Sequence, residues 1–185
     1  MDIFGTTKNL QFLDKGVKNY GGNYYRYTVR AMFGKTYGTF DTNGLVILRL
    51  AAPEITRVKN DANGVKVEFK AVKGATGYYV YHKVGKSSWV RVGTTTKTSF
   101  VDMNVKAGTS YIYTVKAYKG SYMSDYVATT TPLIHVPAPT VNTPINTSNG
   151  IKITWQEVPM AEKYYVGRRD VGGTWQTIKT INKSD

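Results

Sequence analysis

Residues 52–99 recur at 138–185 without a gap. Pro53 falls on Pro139, Asn63-Gly64 on Asn149-Gly150, Phe69 on Trp155, Tyr78-Tyr79-Val80 on Tyr164-Tyr165-Val166, and Trp89 on Trp175, a constant offset of 139 − 53 = 86. Fourteen of the 48 aligned pairs are identical. A partial copy precedes both. Phe12-x-Asp14 matches Phe100-x-Asp102, and Tyr25-x-Tyr27-Thr28-Val29 matches Tyr111-x-Tyr113-Thr114-Val115, with two extra residues inside Asn19–Asn23. A period this long is one small domain per repeat. The chain therefore divides into a back half at 1–50, a whole repeat at 51–136 and a front half at 137–185.

A domain of about 86 residues buries one modest core. Fifteen tyrosines and 18 glycines favour strands joined by tight turns over helices. Cysteine is absent, so the core must hold without disulfides. No apolar run is long enough to span a membrane. Met1–Gly5 carries neither the basic segment nor the apolar stretch of a signal peptide, and a chain opening inside a domain leaves room for one upstream. The net charge of +13 divides by copy as 7 − 3, 12 − 5 and 6 − 4, so it is dispersed rather than packed into one run. Dispersed positive charge favours anionic surfaces without specificity and gives no nucleic-acid signature.

Within the whole copy, Asn63-Gly64 leads into Val65-Lys66-Val67-Glu68-Phe69, which alternates apolar and polar. Strand patterns follow at Tyr78–His82, Trp89–Val92, Ser99–Asp102 and Tyr111–Tyr118, and near Leu133–Val136. No window has a helical period. Seven short strands with turn signals between them mean an all-β sandwich. Phe69, Val80, Tyr113 and Val115 belong to its core, and Thr114, Lys116 and Tyr118 are expected to face out.

These residues resemble the fibronectin type III module. The resemblance is carried by the strand B aromatic (Phe69, Trp155), by Gly77-Tyr78-x-Val80 on strand C, and by Val105-x-x-Gly108-Thr109-x-Tyr111-x-x-x-Val115-x-Ala117 at the turn from strand E to F. The ordered set is similar to tandem type III repeats of bacterial, Gram-positive-like cell-surface and secreted proteins. The resemblance implies a seven-stranded immunoglobulin-like sandwich. It also makes Tyr111 a corner tyrosine whose hydroxyl bonds back to the backbone, with Tyr25 its counterpart. Pro132 departs from the pattern, since the first copy has Val46 there, and it marks an edge or a strand start.

Catalysis finds no support among the 12 carboxylates, which form no repeated pair at cleft spacing. Asp14 and Asp102 sit at equivalent strand ends, where aspartate bonds its own turn backbone. His82 and His135 stand alone in sequence, with no cysteine or clustered carboxylate for zinc. No catalytic residue, metal ligand or cofactor is therefore expected. The C–C′ loops, Lys86-Ser87-Ser88 and Gly172-Gly173-Thr174, read as turns. The feature with binding promise is aromatic: alternation places Tyr79, Tyr81, Trp89 and Tyr118 on one outer face, rimmed by Lys83, Arg91 and Lys116. Such a stripe suits stacking on sugar rings, and equally suits cross-strand stabilisation of the sheet itself. The third copy keeps Tyr165 and Trp175 but has Gly167 in place of Tyr81.

The linkers Leu50-Ala51-Ala52-Pro53 and Val136-Pro137-Ala138-Pro139 contain almost no Gly or Ser, so semi-rigid joints are expected. The sequence reads as a non-catalytic spacer or adhesion segment of a larger extracellular or cell-surface protein. Its alternative is a carbohydrate-binding accessory segment of a secreted glycan-degrading enzyme. Expected partners are a cell-wall or plant polysaccharide or another surface protein. Because 1–50 supply strands E to G and 138–185 supply strands A to C′, strand exchange between chains through the half domains is also expected.

Overall fold

A computed structural model of the chain describes residues 5–17 and 22–183. The insertion expected within Asn19–Asn23 falls mostly outside the described residues. The first copy holds β1 (Asn23–Tyr27), β2 (Met32–Phe33), β3 (Thr36–Tyr37) and β4 (Leu45–Arg49). The middle copy holds β5 (Ile55–Asp61), β6 (Gly64–Phe69), β7 (Gly77–Val84), β8 (Val90–Thr95), β9 (Ser99–Asp102), β10 (Ser110–Lys119), β11 (Tyr122–Met123) and β12 (Leu133–Ile134). The third holds β13 (Ile145–Thr147), β14 (Gly150–Lys152), β15 (Lys163–Arg168) and β16 (Gln176–Asn182). All named pairings are antiparallel.

The middle copy is an all-β sandwich of two antiparallel sheets. One sheet runs β5-β6-β9; the other runs β8-β7-β10, with β11 and β12 as two short pieces of a seventh strand on the outer edge of β10. Alternation decides what goes between them. Val65, Val67 and Phe69 of β6 face Tyr78 and Val80 of β7 and Tyr111, Tyr113, Val115 and Ala117 of β10 in one buried cluster. The Phe69 and Tyr78 rings meet edge to face at 4.8 Å. Burying each such side chain stabilises the fold by roughly 1.5–3 kcal/mol before entropy is counted. Gly64 must be glycine: its φ is 148°, and a Cβ there would lie 2.0 Å from the Asp102 carbonyl oxygen on neighbouring β9.

The seventh strand is broken where the sequence predicted only one piece, near Leu133–Val136. Between its two pieces, side-chain oxygens stand in for backbone acceptors. Ala117 N–H donates to Ser124 Oγ at 2.9 Å, and Tyr113 N–H donates to Thr129 Oγ1 at 3.1 Å. Thr114, expected to face solvent, is buried: its hydroxyl donates to the Val127 carbonyl at 3.1 Å, so the 124–129 segment lies against it. Alternation gives a side chain's direction but not what later chain covers it. Pro132 stands immediately before β12.

Several hydrogen bonds recur one period apart. Val72 N–H donates to Tyr78 Oη at 2.9 Å, and Val158 N–H to Tyr164 Oη at 2.9 Å. Lys70 N–H reaches Glu54 O, and Gln156 N–H reaches Thr140 O, both at 2.9 Å. Thr28 donates to Asp41 O as Thr114 does to Val127 O, each pair displaced by 86 residues.

One contact at the joints between copies repeats as well. Gly22, at φ 86°, lies against Gly74: a Cβ on Gly22 would be 3.0 Å from the Gly74 Cα. One period on, Gly108, at φ 72°, lies against Met160, whose own φ is 65°. The first joint is also sealed by Leu48 and Leu50, which are buried with the middle core, by Tyr24 edge-on to Tyr122 at 6.2 Å, and by Tyr122 Oη donating to Val46 O. The first linker is therefore packed into a domain rather than strung between two. No strand of the first copy pairs with one of the third among the described residues.

Candidate binding face

The outer face of β8-β7-β10 carries the aromatic residues singled out above. In register, Tyr81 stands between Arg91 and Thr114, and Tyr79 between Thr94 and Lys116. A register shift between Val80 and Tyr81 puts Arg91 on the same face as Tyr81. Tyr118 stands opposite Gly77 and lies across it, because a Cβ on Gly77 would meet the Tyr118 hydroxyl at 2.5 Å. The Tyr118 ring stacks on Tyr79 with centroids 4.5 Å apart and planes 19° from parallel. Trp89 sits just before β8, outside the strand expected for it, and meets Tyr126 edge to face at 5.8 Å. Tyr126 is a ring the sequence reading missed. Only its place in the excursion between β11 and β12 brings it here.

Each cation of the rim lies over a ring. Arg91 is 5.0 Å from the Tyr79 centroid, Lys83 is 5.0 Å from Trp89, and Lys116 is 5.1 Å from Tyr126. Such contacts contribute about 0.5–1 kcal/mol at exposed sites. The third copy repeats the tryptophan pair 86 residues on, with Arg169 4.9 Å from the Trp175 centroid, and sets Lys163 5.7 Å from Tyr165. Tyr81 carries no cation among the described contacts. The rings brought together are thus Tyr79 with Tyr118 and Trp89 with Tyr126.

The structural residues lie elsewhere. Phe69 and Tyr111 are buried, and Lys106 N–H donates to Tyr111 Oη at 2.9 Å, a bond to the backbone five residues upstream. Tyr25 is half-buried on β1 and pairs with Ile47 in register. Trp155 tilts against Tyr164 at 5.4 Å, at the position where Phe69 meets Tyr78 edge to face.

Asp102 does more than bond its own turn, and His82 is not alone. Asp102 is fully buried; its carboxylate accepts Asn104 N–H at 2.9 Å and the Tyr113 hydroxyl at 3.0 Å, and pairs with His82 Nδ1 at 2.7 Å. Burial first, then the Asp102 charge, pushes the Tyr113 hydroxyl well above its ordinary pKa. The first copy repeats part of this: Tyr27 donates to Asp14 at 3.0 Å and Gly16 N–H to the same carboxylate at 2.8 Å. In the third, Arg168 occupies the position of His82. His135 pairs with Asn60 at 3.0 Å. Within the network, Asp102's acceptor oxygens are committed to neighbouring donors, which is a structural arrangement. Among the described residues no group of three or more His, Cys, Asp or Glu could hold a metal ion, and no helix is long and apolar enough to cross a membrane. A depression of about 510 Å³ between β5 and residues 127–133, lined by Pro53, Ile55, Arg57 and Leu133 among others, lies apart from the aromatic face.

No protein-family model matches the chain. An alpha-amylase of Niallia circulans is 34% identical over 107 residues, 57% of this chain. The chain spans 7% of that relative's length. Among solved structures, titin kinase with its flanking domains overlaps 46% of this chain and 17% of its own, at 23% identity and TM-score 0.38. The chicken CNTN1 FN1-FN3 domains overlap 88% of this chain and 63% of their own, at 17% identity and TM-score 0.36. Overlaps at these scores do not decide the fold, which rests on the two facing sheets of residues 55–134.

Proposed function

We propose that the chain is a non-catalytic spacer segment that holds other domains of a larger extracellular or cell-surface protein apart as a semi-rigid rod. The observation that carries this reading is the repeated joint. Gly22 against Gly74 and Gly108 against Met160 are equivalent contacts, so one close approach recurs at both joints, although Leu48 and Leu50 are buried at the first and their equivalents Ile134 and Val136 are exposed at the second. Buried Leu48 and Leu50 and the Tyr24–Tyr122 contact stiffen the first joint beyond what proline alone does. Small-angle X-ray scattering tests it. The chain should fit one arrangement of its copies, and Tyr24→Ala should broaden the distribution without unfolding the middle sandwich. Wild-type scattering that requires freely rotating copies would overturn the rod.

A second reading is favoured by the amylase relative and by the aromatic face: an accessory carbohydrate-binding segment of a secreted glycan-degrading enzyme, in which Tyr79, Tyr81, Trp89 and Tyr118 contact sugar. The two readings are compatible, since a rod can carry a binding face.

A further inference from the structure

The two faces of the middle sandwich treat their cations differently. On the β5-β6-β9 side two cations are paired with carboxylates: Lys66 with Glu68 at 2.7 Å and Lys70 with Glu54 at 2.9 Å. The hydrogen bond from Lys66, aided by its charge, also holds the Glu68 carboxyl below its usual range. On the other side, β7, β8 and β10 contain no Asp or Glu at all. Lys83, Arg91 and Lys116 find no carboxylate partner among the described residues; each is held over a ring instead. A ring orients a cation without cancelling its charge. The ammonium and guanidinium groups keep their donors for a ligand, and their side-chain entropy is already partly spent. Between them Tyr81 offers a ring that no cation covers.

We propose that this face docks an anionic polysaccharide, with Lys83, Arg91 and Lys116 pairing carboxylate or phosphate groups along the polymer and Tyr81 and the Tyr79–Tyr118 stack contacting its sugar rings. The proposal rests on the carbohydrate-binding reading and adds the charge of the ligand. Fixed positive groups on a sheet face raise the local concentration of a polyanion, and the attraction weakens as salt shortens its reach to about 8 Å at physiological ionic strength. The cation-over-tryptophan pair at Arg169 and Trp175 supplies part of the same face one period along, so a long polymer gains from multivalency.

The test is affinity electrophoresis of the full chain through gels holding polygalacturonate, amylose or polyglutamate, over a salt series. The expected result is retention by polygalacturonate that falls with salt. The triple variant Lys83→Gln, Arg91→Gln, Lys116→Gln should weaken it about tenfold, three exposed ion pairs together. Lys59→Gln, Lys66→Gln, Lys70→Gln removes the same charge from the opposite sheet and should leave affinity within about twofold of wild type. Equal loss in both triples would sink the assignment of the face. Equal retention by amylose would overturn the anionic ligand while leaving the carbohydrate reading in place. Polyglutamate bound as tightly as polygalacturonate would remove sugar from the recognition, and retention by none of the three would remove both readings and leave the rod.

Discussion

The middle copy and its two flanking copies share a sequence pattern, yet equivalent residues differ in environment. Tyr113 is 0% exposed and its equivalent Tyr27 is 39% exposed; Val115 is 0% and Val29 is 87%; Val65 is 0% and Ile151 is 67%. Some hydrogen bonds nonetheless recur, those from Thr28 and Thr114 to their carbonyl acceptors and those to the hydroxyls of Tyr78 and Tyr164. Gly64 and Gly150 show the division at a single turn. Both have left-handed φ, 148° and 137°, but a Cβ would strike Asp102 O at Gly64 and meet nothing within 4 Å at Gly150. Turn geometry and side-chain-to-backbone bonds are local and travel with the sequence. Burial is not local: it requires a facing sheet, which the described residues assemble only around 55–134.

The sharpest way to break this comparison is at the aspartates. Asp102→Ala leaves the Tyr113 hydroxyl, His82 and Asn104 N–H without their buried acceptor, and should destabilise the middle sandwich by about 3 kcal/mol. Asp14→Ala, at the half-buried equivalent, should cost less, about 0.5 kcal/mol. Hydrogen-exchange protection of the β10 amides reads the first, and β1 amides the second. Comparable losses at both sites would show that burial is not what separates them. Next comes Val115→Ala, expected to cost about 1–2 kcal/mol through the methyls removed from the core. Val29→Ala should leave stability unchanged by the same measurement.

The smallest effect is alkaline. A tyrosine whose folded pKa is raised contributes stability that is intact below its unfolded value of about 10 and is lost as pH rises above it. Tyr113 is raised chiefly by burial, and exposed Tyr27 is also raised, by residual desolvation and by its bond to Asp14. Melting of the middle sandwich between pH 8 and 12 should therefore fall above about pH 10. Tyr113→Phe should start lower and show a shallower alkaline fall. An unchanged slope would place the alkaline loss in other groups.

Much of this was legible from residues alone. The 86-residue offset located the copies, period-two alternation placed Phe69, Val80, Tyr113 and Val115 inside, and the same parity put Tyr79, Tyr81 and Trp89 on one outer face. What stayed hidden depends on register and on distant chain. The irregularity between Val80 and Tyr81 sets which cation sits beside which ring, and no residue type announces it. His82 and Asp102 are 20 residues apart and meet only once β7 and β9 face each other across the core. A signal for them did exist. An aspartate and a tyrosine recur together as Asp14 with Tyr27 and Asp102 with Tyr113, and a basic residue, Arg168, recurs at the position of His82. Thr114 was misplaced because its cover comes from residues 124–129, which have no strand period.

The broken seventh strand bears on how tandem copies fold without entangling. Similarly patterned sequences tethered 86 residues apart see one another at high effective concentration while they are still unfolded, and a continuous edge in one copy is a template for the matching strand of its neighbour. On β10 that edge is occupied at Tyr113 and Ala117 by the hydroxyls of Thr129 and Ser124, which any invading strand must first displace. The interruption thus works as insulation between repeats: it gives up ladder hydrogen bonds within one domain and makes misregistered pairing between domains harder to start.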